Sequence, residues 1–333
     1  MKKQLLIAAV AATMTSAAMA DISISGDAKF EYQNIESTGN ANTNKSNTEV
    51  NLKLRGKSGD TTVVMDIAAN GGATAADDAT ERSGLVVEDM YLATKVGDVS
   101  VKAGNYASGT SGILGEIDNG SRSNNKVTLT TTLGGATVYV GNAGTSAGST
   151  GFTANDNNMF AGVSMDVAGM TVQAKKVNDT EDAFGISGEM SGVALRLEQK
   201  QGTGSNTDVT FGNVTTDVNG ISLGYAWIDA DAGNLVAEDD SAIFAVEMGA
   251  SATKASATGQ TQITASTSVA GNKVTVKSGS VENGVTGTDL DYMQLSATRA
   301  LASGATATVT YTDTDTSASA DKQTFEAELS VKF

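Results

Sequence analysis

Four basic residues stand where strand alternation sets a charge apart from apolar neighbours. Lys53 and Arg55 alternate with Leu52 and Leu54, Lys29 lies between Ala28 and Phe30, and Lys102 lies between Val101 and Ala103. In an extended chain successive side chains point to opposite faces, so each cation is turned away from an apolar face. The chemistry open to such groups is electrostatic rather than covalent. Cations on the wall of a water-filled space sort solutes by charge and dipole. Asp27, Glu31 and Asp66 share that face and would also balance these cations as ordinary lumen-side charges. Catalysis has little to draw on. The chain has no histidine and no cysteine, which excludes a Ser-His-Asp triad, disulfides and most zinc sites. Its 38 Asp and Glu residues guarantee chance carboxylate pairs, so no pair is assigned acid–base work and the chain is read as a non-enzyme.

The elements that must position these residues are strands. Phe325 to Phe333 alternates without a miss: Phe325, Ala327, Leu329, Val331 and Phe333 share one face, and Glu326, Glu328, Ser330 and Lys332 share the other. Ile22, Ile24, Ala28, Phe30 and Tyr32 repeat the pattern near the start, and further half-apolar stretches follow every 15 to 20 residues or so. Their connections alternate in length. Ser58-Gly59-Asp60, Gly97-Asp98 and Gly134-Gly135 are tight, whereas 34–47, 70–84 and 105–124 are long and polar. Tight turns on one rim and long loops on the other describe an all-β, transmembrane, antiparallel up-and-down β-barrel better than a sandwich. The tally lies between 16 and 19, and 16 strands are expected, with 18 as the alternative. The alternation is faintest over 250–279.

Composition agrees. Only 40% of the residues are hydrophobic, diluted by 37 glycines, and proline is absent. A wall with lipid outside and water inside needs an apolar residue only at every second position. Met1-Lys2-Lys3, the apolar run Leu5–Ala12 and Ala18-Met19-Ala20 read as a secretory signal peptide over 1–20, leaving a single barrel domain over 21–333. Without Lys2 and Lys3 the chain holds 20 basic against 38 acidic residues, a net charge of −18. That balance argues against a nucleic-acid partner, which needs clustered Lys and Arg. Trp227 follows Tyr225 on an outward face near a strand end, where a headgroup-level position and a subunit contact both remain open.

The stretch Asp89–Asn105 resembles the strand, Gly-Asp turn and strand that precede the constriction loop of general bacterial outer-membrane porins, most similarly those of alphaproteobacteria. Many of those carry Leu-Gly-Arg where this chain has Ala103-Gly104-Asn105, so a basic role at Asn105 does not carry over. The opening Asp21–Gly26 and the final Phe333 fit the same resemblance. It implies a homotrimer of 16-stranded barrels in the bacterial outer membrane, with short periplasmic turns and long external loops. Lipid and lipopolysaccharide would surround the barrel, and Phe333 would belong to the signal read by the barrel-assembly machinery. It also implies a third loop, here about 106–124, folded inward as a constriction. The acids of that loop, Glu116 and Asp118, would face the basic wall of Lys29, Lys53, Arg55 and Lys102. The expected function is passive diffusion of ions and small hydrophilic solutes as a general porin, with mild cation preference. No cofactor is implied, although acidic loops could hold Ca2+ weakly.

Two other classes are weighed against it. An exported acidic adhesin or surface-layer protein fits the composition but has no need of the Phe325–Phe333 strand. A substrate-specific channel for sugars would line its lumen with aromatics. Only 5% of this chain is aromatic and most strand aromatics are expected outward, which favours general diffusion.

Overall fold

A computed structural model describes residues 21–39, 41–70, 84–107, 122–142, 159–177, 181–202, 208–231, 243–245, 257–283, 289–316 and 321–333. Strands β1 (Asp21–Ser37), β2 (Thr43–Ser58), β3 (Thr61–Asn70), β4 (Gly84–Val96), β5 (Val99–Ala107) and β6 (Arg122–Leu133) form the first third. They are followed by β7 (Ala136–Asn142), β8 (Met159–Val167), β9 (Met170–Val177), β10 (Glu181–Met190), β11 (Val193–Gly202) and β12 (Val209–Val218). The last third is β13 (Ile221–Ala230), β14 (Ala257–Val269), β15 (Asn272–Asn283), β16 (Leu290–Ala300), β17 (Ala305–Thr316) and β18 (Lys322–Lys332). Each strand pairs antiparallel with its sequence neighbours, and β1 pairs with β18, so the sheet closes into an up-and-down barrel. Closure removes the unpaired edges that an open sheet would expose. The proposed signal peptide and the loop acids Glu116 and Asp118 lie outside the described residues.

The count is 18, not the expected 16. The missing strands sit where alternation fades. In β14, Gln260, Gln262 and Thr264 face inward, while Thr261, Ala265 and Thr267 dilute the outward face around Ile263. Such a polar face lowers apolar contrast without weakening the ladder, because backbone hydrogen bonds rather than side chains hold it.

One rim is set by two-residue turns. Ala168-Gly169, Ser191-Gly192, Asn219-Gly220 and Ala270-Gly271 each have positive φ at both residues, between 50° and 83°. This is the turn whose twist matches that of flanking strands, and glycine at its second position carries no Cβ penalty. Connections on the opposite rim are longer, the longest spanning 231–256. The seam closes on the turn side. Gly26 N–H donates to Phe333 O at 2.8 Å, and Phe333 N–H donates to Gly26 O at 2.9 Å. A Cβ on Gly26 would meet the Phe333 ring at 3.1 Å, so glycine here lets the ring lie against the strand.

The outer face carries Ile24, Phe30, Leu92, Leu129, Met165, Leu223, Leu295 and Leu329, all exposed. Trp227 is also outward, stacked on Tyr225 at 5.7 Å and lying over Gly212. Apolar residues solvated on this scale around a closed barrel mark a surface matched to lipid.

Candidate functional site

The lumen wall is the candidate site, and its charges fall into sectors. Lys29 lies inward on β1, with Nζ 3.2 Å from Glu49 and 3.8 Å from Glu31. Lys53 lies inward on β2 and pairs with Asp66 on β3 at 2.9 Å. Arg55 is exposed two residues further along the same face. Lys102 on β5 is held differently: its Nζ sits 4.0 Å from the Tyr91 ring centre and 4.1 Å from that of Tyr106. The two rings meet edge-on at 5.8 Å. Each ring presents its negative π face to the cation, which fixes a flexible side chain. The alternation argument thus puts these four residues on one face of the wall, but Lys29 and Lys53 are there as members of ion pairs. The expected constriction loop 106–124 is shorter at both ends: Tyr106 lies within β5 and is buried inside the wall, and β6 already begins at Arg122.

Beside the seam, register assembles an acidic group that the linear sequence does not show. Glu31 opposes Glu328, and Gln33 opposes Glu326. The carboxylates of Glu31, Glu326 and Glu328 lie within 4.8 Å of one another. Gln33 Nε2 donates to Glu31 Oε1 at 2.8 Å and to Glu326 Oε2 at 3.0 Å. Like charges at about 4 Å repel by roughly 1 kcal/mol per pair in bulk water, which the amide bridge and nearby Lys29 can offset. Such a trio concentrates cations locally. In the linear sequence Glu326 and Glu328 stand only on a polar face, because cross-strand partners follow from register and not from spacing.

Further cations face inward on other strands. Lys126 on β6 is fully buried and donates from Nζ to the Tyr106 carbonyl at 3.2 Å. Lys175 on β9 lies 5.9 Å from the Phe160 ring. Arg196 on β11 pairs with the buried Glu198 and lies 5.6 Å from the Phe211 ring.

Most strand aromatics of the described residues do point outward, among them Phe30, Tyr32, Phe184, Tyr225, Trp227, Tyr311 and Phe325, but a large minority does not. Tyr91, Tyr106, Tyr139, Phe160, Phe211 and Tyr292 all point into the barrel. Several lie flat over a cross-strand glycine. A Cβ on Gly162 would sit 2.1 Å from the Tyr139 ring, and one on Gly141 would sit 2.7 Å from that of Phe160. Glycine on one strand admits an aromatic from the next.

The sector β12–β16 carries an apolar cluster within. Val209, Phe211, Ala226, Ile228, Ala230, Val281 and Tyr292 form a buried cluster on its inner wall, and Phe244 from the β13–β14 connection packs into it. The Phe244 and Phe211 rings meet edge-on at 6.3 Å. Gln262 grips the backbone on either side: Ala245 N–H donates to its Oε1 at 2.7 Å, and its Nε2 donates to Ile243 O at 2.5 Å. The Tyr292 hydroxyl also donates to Gln262 Oε1, at 3.2 Å. Burying the phenylalanine contributes about 2 kcal/mol and each amide bond about 1. Ordering three residues costs about 3 to 6 kcal/mol, so the dock is close to balanced. The signal in the sequence was Ala226-Trp227-Ile228, three apolar residues in a row, which no strand with one wet face requires.

No protein-family model matches the chain, and no curated protein matches it. Solved structures do. Pseudomonas aeruginosa OccK8 (OprE) superposes with a TM-score of 0.59 at 13% identity, over 94% of this chain and 98% of that one. Acinetobacter baumannii OccAB4 gives 0.62 at 11% identity, over 94% and 98%. Pseudomonas aeruginosa OpdQ gives 0.62 at 11%, over 94% and 99%. At such identity the likeness establishes the fold alone: a closed antiparallel barrel, of 18 strands here rather than the 16 that the sequence resemblance implied.

Proposed function

We propose that the protein is a passive channel of a bacterial outer membrane, passing ions and small hydrophilic solutes through its lumen. One observation carries this reading: a closed barrel with an apolar outer face has Lys29, Lys53, Lys102, Arg196, Glu198 and the Glu31–Glu326–Glu328 trio turned inward. A soluble barrel has no reason to invert its polarity in this way. The fold shared with OccK8, OccAB4 and OpdQ supports the same reading. The trio Glu31, Glu326 and Glu328 favours a mild cation preference. Export through residues 1–20, assembly as a homotrimer within lipid and lipopolysaccharide, recognition of Phe333 by the assembly machinery and a constricting role for Glu116 and Asp118 belong to the proposal.

A second reading, a channel selective for particular solutes, is favoured by the inward aromatics and by the segment docked within the β12–β16 sector. Single-channel recording in a planar bilayer under a salt gradient tests both. Large steps in threes with a cation-biased reversal potential are expected of a general trimeric porin. Small conductance blocked by a subset of added solutes moves the assignment to the selective channel. Silence from folded, inserted protein overturns the channel reading.

A further inference from the structure

Gln262 does something that an ordinary lumen-side amide does not. It lies on β14 between Ala226 on β13 and Gly279 on β15, and it points inward. Its amide presents a donor to Ile243 O and an acceptor to Ala245 N–H, the pair of bonds that a neighbouring strand would offer. A side chain thereby stands in for backbone, and the residue between the two bonds, Phe244, is aimed into the inner-wall cluster. Gln294 adds a longer contact, from Nε2 to Ala245 O at 3.4 Å. Gln262 is itself held by Thr264 Oγ1 at 3.0 Å and by the Tyr292 hydroxyl, so its orientation is set from two sides.

We infer that Gln262 is a positioning residue for permeation. By clamping Ile243–Ala245 against the β12–β16 wall it sets the free cross-section of the lumen at that level. The inference rests on the channel reading and adds a determinant that acts through hydrogen-bond polarity rather than charge. Both groups of the amide are needed. A carboxylate at 262 still accepts from Ala245 N–H but has no proton to give Ile243 O, whereas a protonated carboxyl regains that donor.

The test follows from this asymmetry. Gln262→Leu is expected to raise single-channel conductance at every pH. Gln262→Glu is expected to match wild type in acid and to shift to higher conductance as the carboxyl ionises. Titratable groups that face this position are Tyr292 on β16 and Lys277 on β15, the latter opposite Thr264. Comparing variant with wild type at each pH removes their contribution. A merely structural residue would not produce conductance that reverts on acidification. Conductance of both variants equal to wild type, with no pH shift in Gln262→Glu, overturns the inference.

A second readout needs no current. Because the chain has no cysteine, Ala245→Cys supplies a unique thiol and leaves Phe244 in place in the cluster. It should resist a water-soluble maleimide in the otherwise native barrel and lose that protection when combined with Gln262→Leu. Equal labelling of both proteins overturns the clamp. Failure of wild type to conduct, with protection behaving as described, would count against the channel reading and leave the clamp standing.

Discussion

The seam sector β18–β1–β2 and the sector β12–β16 share an outer face but not an inner one. Outside, Phe30, Leu329 and Leu54 on the first are matched by Tyr225, Ile263 and Leu295 on the second. Inside, the first is lined by Lys29, Glu31, Gln33, Glu49, Glu326 and Glu328, whose contacts are ion pairs and amide bridges. The second is lined by Phe211, Ile228, Val281 and Tyr292, with the buried amides Gln260 and Gln262 among them. A lipid-matched exterior admits one solution, apolar side chains, all the way round. An interior can be solvated or packed, so each sector is free to be a wet charged wall or a small dry core. In the proposed channel the first kind of sector acts on solutes through charge, and the second acts by holding a piece of chain in the way.

The largest expected effect lies in the packed sector. Phe211 has no exposed surface, and Phe211→Ala should cost about 3 kcal/mol of barrel stability, read as an earlier midpoint in urea unfolding from detergent. A loss under about 1 kcal/mol would mean that this inner core does not support the barrel, and the contrast between sectors would collapse. Neutralising the seam trio (Glu31→Gln, Glu326→Gln and Glu328→Gln together) should act in the opposite sense. Stability should change by less than about 1 kcal/mol, since these half-exposed groups are screened, while the reversal potential moves toward anions. An unmoved reversal potential would show that selectivity is set elsewhere. The smallest effect belongs to Lys53, whose side chain is 42% exposed beside Asp66. Lys53→Met should alter stability by well under about 1 kcal/mol and shift the reversal potential slightly toward cations.

Strand alternation made the outer face legible residue by residue, from Ile22 and Ile24 through Trp227 to Phe333, and it placed Lys29, Lys53 and Lys102 on the inner face. It fell short in two places with different causes. It undercounted strands where Thr261, Ala265 and Thr267 dilute the outward face of β14, and it did not single out the inward aromatics Tyr139, Phe160, Phe211 and Tyr292. The first comes from expecting every outer face to be strongly apolar, the second from treating the inner face as uniformly polar.

By itself, the sequence determined that the chain would form paired strands with one apolar face, joined by tight turns at one rim, because a period of two and turn glycines are local properties. Tertiary structure alone decided which residues meet. Closure of β1 on β18 brought Glu31 to Glu328 across a gap of nearly the whole chain, and the register of β14 carried Gln262 to Ile243 and Ala245. Cross-strand register and the docking of a connection depend on the summed fit of the whole barrel, which no single segment encodes.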